Sequence, residues 1–308
     1  MSLVKPITPH LWFDRQAVEA AQFYCAVFPD SRIDSVTTLH DTPSGDCDVV
    51  AFTLSGHPFM AISAGPLFKF NPSVSFFANF DPSRDPDART RLDAMWKALC
   101  EGGQALMPLQ EYPFSPYYGW VQDRYGLSWQ LYTAPPGSEP RPAIVPSLMF
   151  TGDVAGKAEE AGAFYRSVFD GSQAGQLVRW PEGSEHDAPG TVMYSDFRLG
   201  KDNWFAAMDS AHPHGFGFNE AISFVVTCRD QAELDRYWAR LSSVPEAEVC
   251  GWCKDRFGLS WQVTPLVLDD VMTSGDQAAI DRVTQAFLPM HKLDVAAIEA
   301  AAGRAARG

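Results

Sequence analysis

The chain of 308 residues is short of positive charge. Lys and Arg number 24 against 38 Asp and Glu, for a net charge of −14. A surface of that sign repels phosphate backbones and anionic lipid, so the expected partners include no nucleic acid and no membrane. Long apolar runs are also missing. None reaches the ~18 residues that a membrane span needs, and the opening Met1-Ser2-Leu3-Val4-Lys5-Pro6 carries no apolar signal core. A cytoplasmic protein is the expectation. Cysteine is sparse, 6 residues spread from Cys25 to Cys253, which suits reduced buried thiols and not a disulfide framework. Neither the Gly-x-Gly-x-x-Gly turn of nucleotide pockets nor the Gly-x-Ser-x-Gly elbow of hydrolases occurs.

What is present is an internal repeat. Gly119-Trp120-Val121-Gln122-Asp123-Arg124-Tyr125-Gly126-Leu127-Ser128-Trp129-Gln130 returns as Gly251-Trp252-Cys253-Lys254-Asp255-Arg256-Phe257-Gly258-Leu259-Ser260-Trp261-Gln262. Phe23-Tyr24 with Val27-Phe28 returns as Phe164-Tyr165 with Val168-Phe169, and Phe70-Asn71 with Ser75-Phe76 returns as Phe218-Asn219 with Ser223-Phe224. The order is kept in both halves, which marks duplication. Between them, Pro135, Pro136, Pro140, Pro142 and Pro146 read as a stiff extended linker. The expected domains are residues 1–134, a linker at 135–146, a second domain at 147–268 and a helical tail at 269–308, fraying from 303 onward.

Each half divides again into two smaller units of strand, helix and further strands. In the first half, segment 7–13 alternates as a strand, and 17–28 sets Ala20, Phe23, Tyr24, Val27 and Phe28 on one helical face. Strands follow at 33–39, 48–54 and 58–63. The second unit has a strand at 73–80, a helix near 87–100 stopped by Gly102-Gly103, and strands at 119–123 and 127–133. Asp123-Arg124-Tyr125-Gly126 has hairpin-turn chemistry. The second half has helices near 158–169 and 231–241, and the tail has two, near 277–287 and 295–302.

Trp12-Phe13-Asp14, Phe28-Pro29-Asp30-Ser31-Arg32-Ile33, Phe68-Lys69-Phe70-Asn71-Pro72 and the Asp-Arg-aromatic-Gly-Leu-Ser-Trp-Gln motif of both halves resemble PhnB-like proteins. These are the 3-demethylubiquinone 3-methyltransferase-like branch of the vicinal oxygen chelate superfamily, with glyoxalase I, bleomycin-resistance proteins and extradiol dioxygenases. The resemblance spans nearly the whole chain. It implies an α+β fold of tandem βαβββ units whose curved sheets form two half-open cups. Methyl transfer is disfavoured, because the glycine-rich turn of a nucleotide-type pocket is missing.

Active members of that superfamily hold a divalent metal through His, Glu or Gln on the first and last strands. Strand alternation places Thr8, His10 and Trp12 on the cup side of the first strand, Ser75, Phe77 and Asn79 on the fifth, and Ser128, Gln130 and Tyr132 on the last. The resemblance sets His10 at the first ligand position and Gln130 where a Glu is usual. The second copy offers Ser147, Ser223, Thr227 and Gln262. One imidazole and one amide fall short of a divalent site, so no cofactor is expected; any metal would sit on His10 and Gln130. Cups built within one half and cups built by exchange between halves both remain open, and exchange would set Gln130 against Ser147.

The expected ligand is a small, flat or aromatic molecule held by His10, Trp12, Lys69, Ser75, Phe77, Asn79, Tyr117, Gln130 and Tyr132, with His10 as the one catalytic candidate. Lys69 offers a cation at the rim. Tyr117 belongs to an insertion, residues 111–118, that reads equally as a pocket wall or as a clamp between halves. Cys250 and Cys253 enter a strand and point to opposite faces, against a redox pair. His212-Pro213-His214 lies in a loop with no third ligand. Two other readings stand beside the binding protein: a metal-dependent lyase, isomerase or transferase of the glyoxalase type, and a non-catalytic scaffold. The fusion supplies the contact that single-copy relatives obtain by pairing, and leaves further homodimer formation open.

Overall fold

The structure, a computed structural model, describes residues 5–184 and 187–304; the end of the stretch expected to fray, 305–308, lies outside the described residues. The first unit contains β1 (Thr8–Phe13), α1 (Ala17–Val27), β2 (Arg32–Thr42), β3 (Gly45–Leu54) and β4 (His57–Ser63). The second contains β5 (Val74–Phe80), α2 (Ala88–Cys100), β6 (Gln104–Tyr112), β7 (Ser115–Gln122) and β8 (Ser128–Thr133). The third contains β9 (Ile144–Phe150), α3 (Ala158–Val168), β10 (Gln173–Arg179), β11 (Val192–Leu199) and β12 (Asn203–Asp209). The fourth has three strands, β13 (Ile222–Cys228), β14 (Trp252–Lys254) and β15 (Ser260–Pro265), with α4 (Gln231–Leu241) and a short 3-10 turn (Pro245–Ala247) between the first two. The tail adds α5 (Leu266–Met272), α6 (Gln277–Phe287) and α7 (Val295–Ala301). No described helix is long and apolar enough to cross a membrane.

The sheets are assembled across the two halves. One has seven strands in the order β14-β15-β13-β1-β4-β3-β2, and so joins the first unit to the fourth. The other has eight, β10-β11-β12-β9-β5-β8-β7-β6, joining the third to the second. The seams are antiparallel: His10 lies opposite Ser223, and Ser75 opposite Ser147.

Alternation then gives each sheet two faces. Leu11 and Phe13 of β1, Phe52 of β3, Phe59 of β4, Phe76 of β5, Trp129 of β8, Phe205 of β12, Phe224 of β13 and Trp261 of β15 are buried in one continuous core with the helices. Phe59 meets Phe76 at 5.2 Å and Phe205 meets Phe224 at 5.0 Å, so the two sheets share that core. α1 joins it through Ala17, Ala20, Ala21 and Tyr24, one stripe at helical spacing. The faces turned away from α1–α4 line the two cups.

Three local features depart from the sequence reading. β6 was not expected: it has Pro108 inside it and three register shifts against β7, so its alternation is broken, and it lies at a sheet edge where proline is tolerated. β9 starts at Ile144, within the proline-rich stretch, and accepts Pro146 opposite Phe76. α5 follows β15 directly, because Pro265 ends the strand and Leu266-Val267-Leu268 continues as helix.

Candidate functional site

In the seven-stranded cup, β1 presents His10 and Trp12. Register places Met60 beside His10 and Ile62 beside Trp12 on β4, with Ser223 on β13 opposite His10. Gln262 of β15 donates from Nε2 to Ser223 Oγ at 3.0 Å. Trp252 on β14 pairs with Gln262 and meets the His10 imidazole edge to face at 5.5 Å. Trp12 stands 6.1 Å from Trp252 and 5.0 Å from Phe68, and its Nε1 donates to Gly65 O at 2.8 Å. An imidazole, two indoles and an amide thus converge.

His10 is 4% exposed, and its Nδ1 has no hydrogen-bond partner. Burial pushes its pKa down to about 4, so the ring is neutral at physiological pH. A neutral imidazole both donates and accepts, and a buried ring nitrogen without a partner is costly unless a ligand meets it.

The tail straps this cup. Thr37 on β2 shares the cup face through Val49 and Ile62, and its Oγ1 donates to Met272 O at 2.8 Å. Thr227, on the same face of β13, donates to Asp269 Oδ2 at 3.2 Å, and Lys5 pairs with that carboxylate at 3.1 Å. Gln277 of α6 donates to Thr38 O at 3.0 Å. The chain then returns to the opposite edge, where Cys250 N and Gly251 N donate to Met290 O and His291 O.

The eight-stranded cup is filled by its own side chains. Gln130 Oε1 accepts from Tyr118 Oη at 2.6 Å, and its Nε2 donates to Ser75 Oγ at 2.8 Å. Phe77, Tyr118, Val145 and Ala206 form a second apolar cluster, flanked by Trp120, Tyr132, Tyr194 and Trp204.

The expected ligand residues therefore separate. His10 and Trp12 lie in one cup; Ser75, Phe77, Gln130 and Tyr132 lie in the other, where Asn79 ties the linker by donating to Pro142 O at 2.8 Å. His10 and Gln130 stand on strands of different sheets and are not brought together. Lys69 is exposed on the segment that carries Phe68 and Phe70, at the rim beside Trp12. Tyr117 leaves the site altogether. Being next to Tyr118, it points to the helix side, donates to Asp93 at 2.7 Å, lies under Arg89 at 3.3 Å, and lines an outer cleft of about 480 Å³ with Pro116 and Pro136. Trp252 and Asp196 were missed. The repeat signals the first, which occupies the place of Trp120 beside the motif glutamine. Nothing local signals the second.

The superfamily's metal does not fit the residues here. Among the described residues no three His, Cys, Asp or Glu side chains form a metal-holding group. The groups placed around His10 are an amide whose Nε2 is tied to Ser223 and two indoles, all neutral, and neutral groups do not balance a divalent charge. Asp196 lies in the other cup, where Arg141, Tyr194 and the amide of Gln176 occupy its oxygens.

The profile of the 3-demethylubiquinone-9 3-methyltransferase family matches residues 5–132 and again 142–264. The chain belongs to that family. A Bacillus cereus PhnB protein of known structure is 33% identical over 42% of this chain and all of its own (100%), with a TM-score of 0.37. Glyoxalase I from Zea mays is 9% identical over 85% of this chain and 92% of its own, with a TM-score of 0.52; that likeness is one of fold. No curated protein matches.

Proposed function

We propose that this PhnB-like chain binds a small, uncharged aromatic molecule in the seven-stranded cup and does so without a tightly held divalent metal. The observation that carries the reading is the neutral, buried His10 imidazole with a free Nδ1, faced by Trp252 and Trp12. Indole rings supply apolar area and edge-to-face contacts, and the imidazole fixes the orientation of a hydroxyl or ring N–H. Burial of a ring-sized ligand there also satisfies the orphan nitrogen, which gives binding a polar as well as an apolar gain.

The test is a titration of the full chain with phenol, catechol and indole, followed by tryptophan emission. Saturable quenching is expected, weakened about tenfold or more in His10→Ala and Trp252→Ala and unchanged in Gln130→Ala. Equal loss in Gln130→Ala would move the site to the other cup. Metal analysis of protein purified without chelator accompanies it: one divalent ion per chain, lost in His10→Ala, would overturn the metal-free reading.

A further inference from the structure

The eight-stranded cup contains a constellation that the proposal above does not use. Asp196 on β11 is buried, its side chain 2% exposed. Register sets it opposite Ala206, an apolar member of the cup lining, so Tyr194 and Asp196 of β11 and Trp204 of β12 share the cup face. Arg141 enters this face from the linker. Its Nε and Nη2 both donate to Asp196 Oδ2, at 3.0 and 2.8 Å, and its Cζ lies 4.2 Å from the centre of the Trp204 ring. Tyr194 Oη donates to the same carboxylate oxygen at 3.1 Å. Phe77 stands between Tyr194, at 6.3 Å, and Tyr132, at 6.1 Å. The other carboxylate oxygen is fixed by the amide of Gln176 at 2.7 Å.

A carboxylate oriented by a backbone amide, an indole face and phenol rings make up a receptor for a planar or alkylated cation. Here its occupant is a side chain of the same molecule. Arg141 sits on a solvent-exposed loop, held at its C-terminal side by Asn79 N and Nδ2 on Ala143 O and Pro142 O. Withdrawing it would leave Asp196 buried without a cation, an expensive state that a free ligand of the same chemistry relieves.

We infer that the cup face of the eight-stranded sheet is a receptor for an organic cation of the guanidinium or alkylammonium class, which Arg141 occupies as a built-in ligand and so keeps closed in the native chain. This site is independent of the His10 cup, so the two readings stand or fall separately.

The experiment uses the full chain carrying Arg141→Ala and methylguanidinium as the probe, with thermal melts read against sodium chloride at equal ionic strength. The expected result is a lowered melting temperature that low-millimolar methylguanidinium restores saturably, with about tenfold weaker apparent affinity in Arg141→Ala/Asp196→Asn. Wild type, its site filled, gains nothing. If Arg141→Ala fails to fold, Arg141→Gln, which keeps the aliphatic stem, takes its place. No saturable gain over salt, an equal gain in the double variant, or an equal gain in wild type would each overturn the inference and leave Arg141 as a linker clasp only.

Discussion

His10 and the paired aspartates Asp123 and Asp255 show how burial decides what a titratable group does. The imidazole is kept neutral by desolvation, with its pKa lowered from 6.5 to about 4. A lowered histidine pKa means that the unfolded chain binds more protons between those values. Its contribution is therefore whole above pH 6.5 and is lost as pH falls toward 4. The stability difference between wild type and His10→Gln should widen by roughly 3 kcal/mol from pH 4 to pH 6.5, measured by urea melts at each pH. Asp255 shifts the other way: burial raises it to about 6 although Trp261 Nε1 and the amides of Phe257 and Leu259 donate to it. Its raised pKa makes stability fall as pH rises from about 4 to about 6. Asp123 accepts from Tyr24 Oη, Trp129 Nε1 and the amides of Tyr125 and Leu127, and so clasps turn, helix and strand. Asp123→Ala and Asp255→Ala each leave several buried donors unpaired and should cost roughly 3 kcal/mol or more, measured by the same melts at pH 7. The cup-facing position of His10 was readable from strand alternation alone. Its neighbours Trp252 and Gln262 were not, because they lie more than two hundred residues away in sequence and only sheet pairing brings them together.

The elements divide by how local their determinants are. α1 and α6 were legible because their apolar stripes and ends are written in consecutive residues: α6 runs Gln277–Phe287 with Asp276 capping Ala279 N. β6 was not legible, since an edge strand with a proline and repeated register shifts carries no period of two. The tail is the element with most bearing on the site. It buries Val267, Val271, Ile280, Val283 and Phe287 in the core, and its polar hold on the cup includes Thr37 to Met272 O and Thr227 and Lys5 to Asp269. Asp269→Ala combined with Thr37→Val should lower the local opening free energy of α5 and α6 by about 1–2 kcal/mol and leave that of β1 unchanged, as read by native-state amide exchange. Uniform acceleration across both sheets would instead mean that the tail unfolds only with the whole molecule.

At the scale of the molecule, the duplicated sequence conceals an exchange. Two copies of one unit pair are compatible with self-contained cups and with exchanged ones alike. Each sheet takes one unit from each half, through the β1–β13 and β5–β9 seams. Nothing in either copy's own sequence distinguishes the two assemblies, because the same strand edges pair in both; the number of units was legible and their partnership was not. It follows that neither half completes a sheet alone. Residues 5–134 and 142–304 expressed separately should each be poorly soluble or self-associate, and should recover a native far-ultraviolet spectrum and single-chain mass only when co-expressed. Two independently folded, monomeric halves would contradict the exchange.

On the proposed function a neutral imidazole in the seven-stranded cup meets the ligand, and the nitrogen resonances of His10 report on it directly. In ¹⁵N-labelled protein they should show one neutral tautomer throughout the range from about pH 5.5 to 8, and Nδ1 should shift on addition of phenol or indole while the ring of His57, another desolvated histidine at the start of β4, stays fixed. A His10 ring that titrates near neutrality, or whose nitrogens respond only to an added divalent metal, would contradict the account.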